Sequence, residues 1–186
     1  MQIRIARPTD AKQIAEIYRP YVDYTCYTFE IEAPNEAEFI RRMAEIQSFF
    51  PFFVCEEEGR ILGYAYAHRF HERAAFGWSC ETSVYVDCHV QKKGVGHRLY
   101  EALLEALKAQ GFAKAYAVLG CPNEPSERFH LREGFVTEGE LPNVGFKHGG
   151  WHAVLYMGKV LNDMSGELPP PRAFSEIQDE RNGKVK

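Results

Sequence analysis

Hydrophobic positions along the chain follow two rhythms, and their alternation lays out the elements. Residues 2–6 alternate, with Ile3 and Ile5 on one side, which predicts a short opening strand. Asp10 stands where an N-cap would, and Ile14, Ile17, Tyr18, Tyr21 and Val22 then recur at helical spacing. Residues 24–34 read as a loop carrying Tyr27, Thr28, Phe29 and Ile31. A second helix starts near Asn35, where Glu38 completes a cap, and shows Phe39, Met43 and Ile46 on one face. Residues 52–56 and 61–68 predict a hairpin around Glu58-Gly59, and residues 78–86 another strand. A loop from Asp87 leads through Gly94-Val95-Gly96 into a helix over 97–110, with Leu99, Leu103, Ala106 and Leu107 on one stripe and Gly111 as its stop. A strand over 114–119, a short helix over 126–133 and strands over 135–141 and 151–160 complete the pattern.

The order β-α-α-β-β-β-α-β-α-β-β mixes hairpins with helical crossovers, which implies an α/β (α+β) fold with a mixed sheet covered by helices. Length agrees, since 186 residues suit one domain. That domain is expected over residues 1–162. From Asp163 the chain turns polar around Leu168-Pro169-Pro170-Pro171-Arg172, so 163–186 reads as a tail rather than a second domain, its order left open.

Charge narrows the partners. Lys plus Arg number 22 against 26 Asp plus Glu, a net charge of −4, where a nucleic-acid binder usually shows a basic excess. The longest aromatic-apolar run, residues 49–55, is interrupted by Pro51 and is far short of the ~20 residues of a membrane span. The first residues lack the continuous apolar core of a secretory signal. Cys26, Cys55, Cys80, Cys88 and Cys121 are odd in number and show no Cys-x-x-Cys spacing, which suits reduced thiols in a cytoplasmic protein. His68 with His71, and His148 with His152, have tolerable spacing for a metal but no convincing third ligand, so no metal site is expected.

The sharpest chemistry lies between the 78–86 strand and the helix after it, at Gln91-Lys92-Lys93-Gly94-Val95-Gly96-His97. Glycines at a helix N-terminus free backbone N–H groups to face an anion, and the two lysines add positive charge beside it. A phosphate or pyrophosphate is the natural ligand. A P-loop would end Gly-Lys-Ser/Thr, whereas His97 and Arg98 follow Gly96, and a dinucleotide fingerprint needs a glycine where Leu99 stands. A plain helix start with two flexible glycines remains the competing reading of these residues alone.

Gln-x-x-Gly-x-Gly after Val84-Tyr85-Val86 resembles the acetyl-CoA pyrophosphate loop of the GCN5-related N-acetyltransferases (GNAT). A second signature of that superfamily has its counterpart in Asn123, Ser126, His130, Gly134 and Phe135. Within it the chain resembles the phosphinothricin acetyltransferase branch, which includes methionine sulfone and sulfoximine acetyltransferases. The matching pieces are Tyr27-Thr28-Phe29, Glu81-Thr82-Ser83-Val84-Tyr85-Val86, Gly120-Cys121-Pro122-Asn123-Glu124-Pro125-Ser126, and Gly145-Phe146-Lys147-His148-Gly149-Gly150-Trp151-His152. Ala153 departs from the aspartate common in that branch. The resemblance implies a mixed central sheet of about six to seven strands flanked by about four helices.

It also implies roles. Glu81 would be the general base that deprotonates the amine, directly or through a water, because an α-amine of pKa ~8 is mostly ammonium at neutral pH. His130, where most of the superfamily has tyrosine, would protonate the departing thiolate or position the reacting groups. Acetyl-CoA would be the co-substrate, held by Val84, Tyr85, Val86, Gln91, Lys92, Lys93, Gly94, Val95, Gly96, His97 and Asn123. The acceptor would meet Arg73, Phe29 and Tyr27, the arginine gripping a carboxylate or phosphinate. Each residue also has an ordinary reading as strand, core or surface.

The function implied is direct acetyl transfer to the α-amine of a small acidic amino acid or analogue, with herbicide or antibiotic resistance as its consequence. A polyamine, an aminoglycoside or a peptide N-terminus is the alternative acceptor, and a non-catalytic acyl-CoA-binding module the alternative class. The branch also implies a homodimer, with no nucleic acid or membrane as partner.

Overall fold

The computed structural model describes residues 1–90 and 94–183. It runs β1 (Gln2–Ile5), α1 (Ala11–Tyr24), α2 (Glu36–Gln47), β2 (Phe52–Glu57), β3 (Arg60–Arg69), β4 (Ser79–Val86), α3 (Val95–Gln110), β5 (Lys114–Cys121), α4 (Glu124–Arg132), β6 (Val136–Lys147), β7 (Gly150–Val160) and α5 (Phe174–Gly183). The seven strands form one sheet in the order β1-β2-β3-β4-β5-β7-β6. Neighbours are antiparallel throughout except for β4 and β5, which run parallel.

Helices cover both faces, as the predicted apolar stripes require. On one face α1 buries Ile14, Ile17, Tyr18 and Val22 against Val54, Ile61 and Tyr64. On the other, α3 buries Leu99, Leu103 and Leu107 among Cys80, Ala115, Ala117 and Met157, each leucine contributing about 2 kcal/mol. β4 alternates between the two layers. Cys80 packs on the α3 side with Val84 and Val86, while Tyr85 packs on the α1 side.

The parallel pair matters most. β4 and β5 pair only over Ser79–Lys114, Cys80–Ala115 and Glu81–Tyr116. Past Glu81 they part: β4 stays with β3 through Val86, and β5 with β7 through Cys121. At the break, the Thr82 hydroxyl donates to the Tyr116 carbonyl at 2.9 Å, beside the last β4–β5 rung.

The structure describes the tail and corrects three expectations. The tail is not featureless: Arg172 N–H donates to the Gln110 carbonyl, and α5 follows with Ile177 buried. Asp10 does not cap α1 with its side chain; its buried carboxylate accepts from Arg7 N–H and pairs with Arg4. α4 begins at Glu124, capped by the Asn123 side chain, because Pro125 suits a first turn. β6 extends to Lys147, as an edge strand exposed along nearly its whole length.

Candidate active site

Where β4 and β5 part, the sheet opens into a cavity of about 320 Å³. Strand residues Thr82 to Val86 form one wall and Val118 and Leu119 the other; Tyr21, Tyr27, Gly96, Asn123, Ser126, Phe129 and His130 close it. A strand edge released from its ladder keeps backbone donors and acceptors that a ligand can pair with. At Val86 both are already engaged, since the Tyr21 hydroxyl donates to its carbonyl at 2.6 Å and lies 3.4 Å from its N–H.

The predicted anion site opens beside it. Gly94 caps α3 at φ +68, a left-handed conformation that disfavours any side chain. The first intrahelical bond runs from Arg98 N–H to the Gly94 carbonyl, so the N–H groups of the first turn have no acceptor within the helix. Gly96 lies against the Phe129 ring, where a Cβ would come within 3.4 Å. Val95 turns its side chain into the core, leaving only its backbone to the site. His97 directs Nδ1 to Glu133, 2.9 Å away. Gln91, Lys92 and Lys93 lie outside the described residues.

On the α3 side of β4 stands a closed polar network. His130 is 2% exposed, and both its ring nitrogens are engaged. Nδ1 donates to the Ser126 carbonyl at 2.8 Å and lies 3.3 Å from Ser126 Oγ. Nε2 meets the Tyr100 hydroxyl at 2.8 Å, and Tyr100 meets Thr82 Oγ1 at 2.7 Å. Burial pushes the imidazole pKa down, which favours the neutral ring, so Tyr100 donates to Nε2. The single Thr82 hydroxyl proton then serves both Tyr100 and the Tyr116 carbonyl. Ser126 and Thr82 carry this network to the cavity wall.

Glu81 belongs to the opposite face. It sits on the last β4–β5 rung, opposite His68 of β3, whose Nε2 lies 3.6 Å from Glu81 Oε1. Burial raises its pKa above the ordinary glutamate value, and His68, when protonated, pulls it partly back. A carboxylate held this way is a stronger base than one in water. The two predicted catalytic residues therefore lie on opposite faces of the sheet: His130 lines the cavity, while Glu81, on the last rung before the split, is not among its lining residues.

The other predicted residues divide. Tyr27 lines the cavity. Asn123 does too, with its side-chain oxygen spent on capping α4 through Ser126 N–H. Phe29 lies behind, against Gly145 and His152. Arg73 lines a separate cavity with Phe76, Trp78 and Pro170. Tyr21 and Tyr100 were missed: Tyr21 reads as helix-face core, Tyr100 falls outside the predicted stripe, and no spacing rule shows that their hydroxyls reach β4. Among the described residues, Asp87, Cys88 and His89 gather three ligand types, but Arg60 and His89 N–H already hold the Asp87 carboxylate.

A family model described as an acetyltransferase (GNAT) domain matches residues 3–154. The chain belongs to the GNAT acetyltransferases. This GNAT chain is 37% identical over 178 residues to a phosphinothricin N-acetyltransferase of Streptomyces viridochromogenes, covering 95% of this chain and 94% of that one. It is 35% identical to an L-methionine sulfoximine/L-methionine sulfone acetyltransferase of Pseudomonas aeruginosa, covering 83% and 91%. A GNAT phosphinothricin acetyltransferase from Sinorhizobium meliloti, solved in complex with acetyl-CoA, superposes with a TM-score of 0.85 at 32% identity, covering 90% and 92%.

The protein is thus an N-acetyltransferase that takes its acetyl group from acetyl-CoA. The split in the GNAT sheet suits such a donor, with a freed strand edge for an amide-bearing arm and a helix N-terminus for phosphates.

Proposed function

We propose that this acetyltransferase acts on the α-amine of a small acidic amino acid or analogue, of the phosphinothricin or methionine sulfone/sulfoximine type, by direct transfer. The observation that carries the reading is the 37% identity to a phosphinothricin N-acetyltransferase across 95% of the chain. Glu81 takes a proton from the amine, whose nitrogen attacks the acetyl carbon. The new C–N bond replaces the C–S bond, and the thiolate leaves to be protonated. His130 acts as a positioning group, a role supported by the engagement of both its ring nitrogens. The place of Tyr27 in the cavity supports it as an acceptor wall. Arg73, in the other cavity, has no such support within one subunit.

We read the enzyme as a cytoplasmic homodimer. Its five free cysteines support the compartment. The exposed edge strand β6, with Leu141, Val144 and Phe146 beside Trp151 of β7, supports the pairing. Resistance to acidic amino-acid analogues would follow from their acetylation.

The test is thiol release from acetyl-CoA with phosphinothricin, methionine sulfone, methionine sulfoximine, spermidine, an aminoglycoside and a short peptide. Selective turnover of the first three is expected. Turnover of a polyamine, aminoglycoside or peptide instead would replace the proposed acceptor.

A further inference from the structure

The motif Gly145-Phe146-Lys147-His148-Gly149-Gly150-Trp151-His152 has no part in the chemistry above, yet it holds one of the more costly groups in the fold. Lys147, the last residue of β6, is 3% exposed. Its ammonium donates to the Thr28 carbonyl at 2.8 Å, across 119 positions of sequence. Among the described residues no carboxylate comes within ion-pair distance of it, and burial pulls its pKa down. A cation kept out of water with a carbonyl as partner is expensive, and it persists where the surrounding structure uses it.

Thr28 belongs to the loop that carries Tyr27 into the cavity and Phe29 behind it. The rest of the motif grips that loop as well. Gly145 lets the Phe29 ring close in, since a Cβ there would stand 2.3 Å from a ring carbon. His152 Nε2 donates to the Lys147 carbonyl at 2.9 Å, and its ring faces Phe29 at 6.4 Å. From the other side, Tyr18 meets Thr28 Oγ1 at 2.6 Å and Thr25 Oγ1 donates to the Tyr21 carbonyl. The loop is clamped between α1 and the end of the β6–β7 hairpin.

We propose that Lys147 is a positioning residue for the acceptor: its buried ammonium fixes the Thr28 carbonyl and so sets the Tyr27 wall of the cavity. This rests on reading the Tyr27 loop as an acceptor wall. Tyr27 shares its cavity with the β4 edge and Gly96, so the acetyl-CoA Kd is read beside the acceptor KM to separate the two.

The experiment compares Lys147→Met, Lys147→Arg and Gly145→Ala with wild type. Readouts are the acceptor KM, the acetyl-CoA Kd and amide hydrogen exchange over residues 25–31. Lys147→Met should speed exchange in that loop and raise the acceptor KM about ten-fold, the effect of losing one charge-assisted hydrogen bond, with the acetyl-CoA Kd unchanged. Lys147→Arg, which keeps a donor, should recover part of the KM. Gly145→Ala, which displaces Phe29 while keeping the lysine, should raise the acceptor KM without changing the Kd. Unchanged loop exchange in folded Lys147→Met would overturn the proposal outright. Faster exchange with an unchanged acceptor KM would leave the clamp standing and overturn the acceptor-wall reading beneath it.

Discussion

The two faces of β4 meet the same split in the sheet but treat polar groups in opposite ways. Toward α3, Thr82, Tyr100 and His130 are at most 4% exposed and bond to one another and to backbone carbonyls. Toward α1, Glu81 keeps a side chain 25% exposed, with His68 3.6 Å away as its ion-pair partner. The first face is built for shape, because a saturated buried network fixes geometry and leaves little free to react. The second suits the proposed base, because a partly buried carboxylate with a raised pKa gains by taking a proton. On the proposed reading, the adjacent residues Glu81 and Thr82 divide reaction from support.

The contrast breaks most visibly at Glu81. Glu81→Gln should lower kcat/KM by ~100-fold or more, the usual share of a general base. The same change should stabilise the fold at neutral pH. Because burial raises the folded-state pKa above the unfolded one, wild type loses stability as pH rises through that window, and the amide does not. Melting temperatures should therefore diverge in favour of the variant at pH 8 and converge near pH 4.

Tyr100→Phe tests the other face and should behave in reverse. Removing the hydroxyl leaves His130 Nε2 without its buried donor, at a cost of about 1–3 kcal/mol by denaturant unfolding. Activity should fall less than in Glu81→Gln. A smaller effect is expected at His68. Replacing it with glutamine removes the partial offset to the burial of Glu81, so the ascending limb of the pH–rate profile should move to higher pH. Smallest is Cys80→Ala. That thiol is fully buried, and burial raises its pKa, which disfavours the thiolate a nucleophile needs. The variant should keep its activity and lose on the order of 1 kcal/mol of stability. Complete loss of activity without unfolding would point to a thioester route.

Much of this was legible in the sequence, for physical reasons that differ by element. α1, α2 and α3 announce themselves because one face is buried and the other solvated. β6 defeats the same logic: an edge strand exposed along nearly its whole length carries no alternation to mark where it ends. α5 escaped because its docking rests on Ile177 and on tail contacts made through the buried Gln110 side chain, which no local pattern reports. At the site, Gly96 stands out from its place at a helix start, whereas Glu81, Asn123 and His130 are picked out only by the family resemblance. Tyr100 and Tyr21 are marked by neither, since each reaches β4 through a hydroxyl at the far end of a helix-face ring.

The most direct test is the pH dependence of kcat/KM in wild type and Glu81→Gln, with saturating acetyl-CoA and an acidic amino-acid analogue as acceptor. Wild type should show an ascending limb above the ordinary glutamate range that is absent from the residual rate of the variant. A variant that keeps both the limb and the wild-type rate would contradict the assignment of reaction to the Glu81 face.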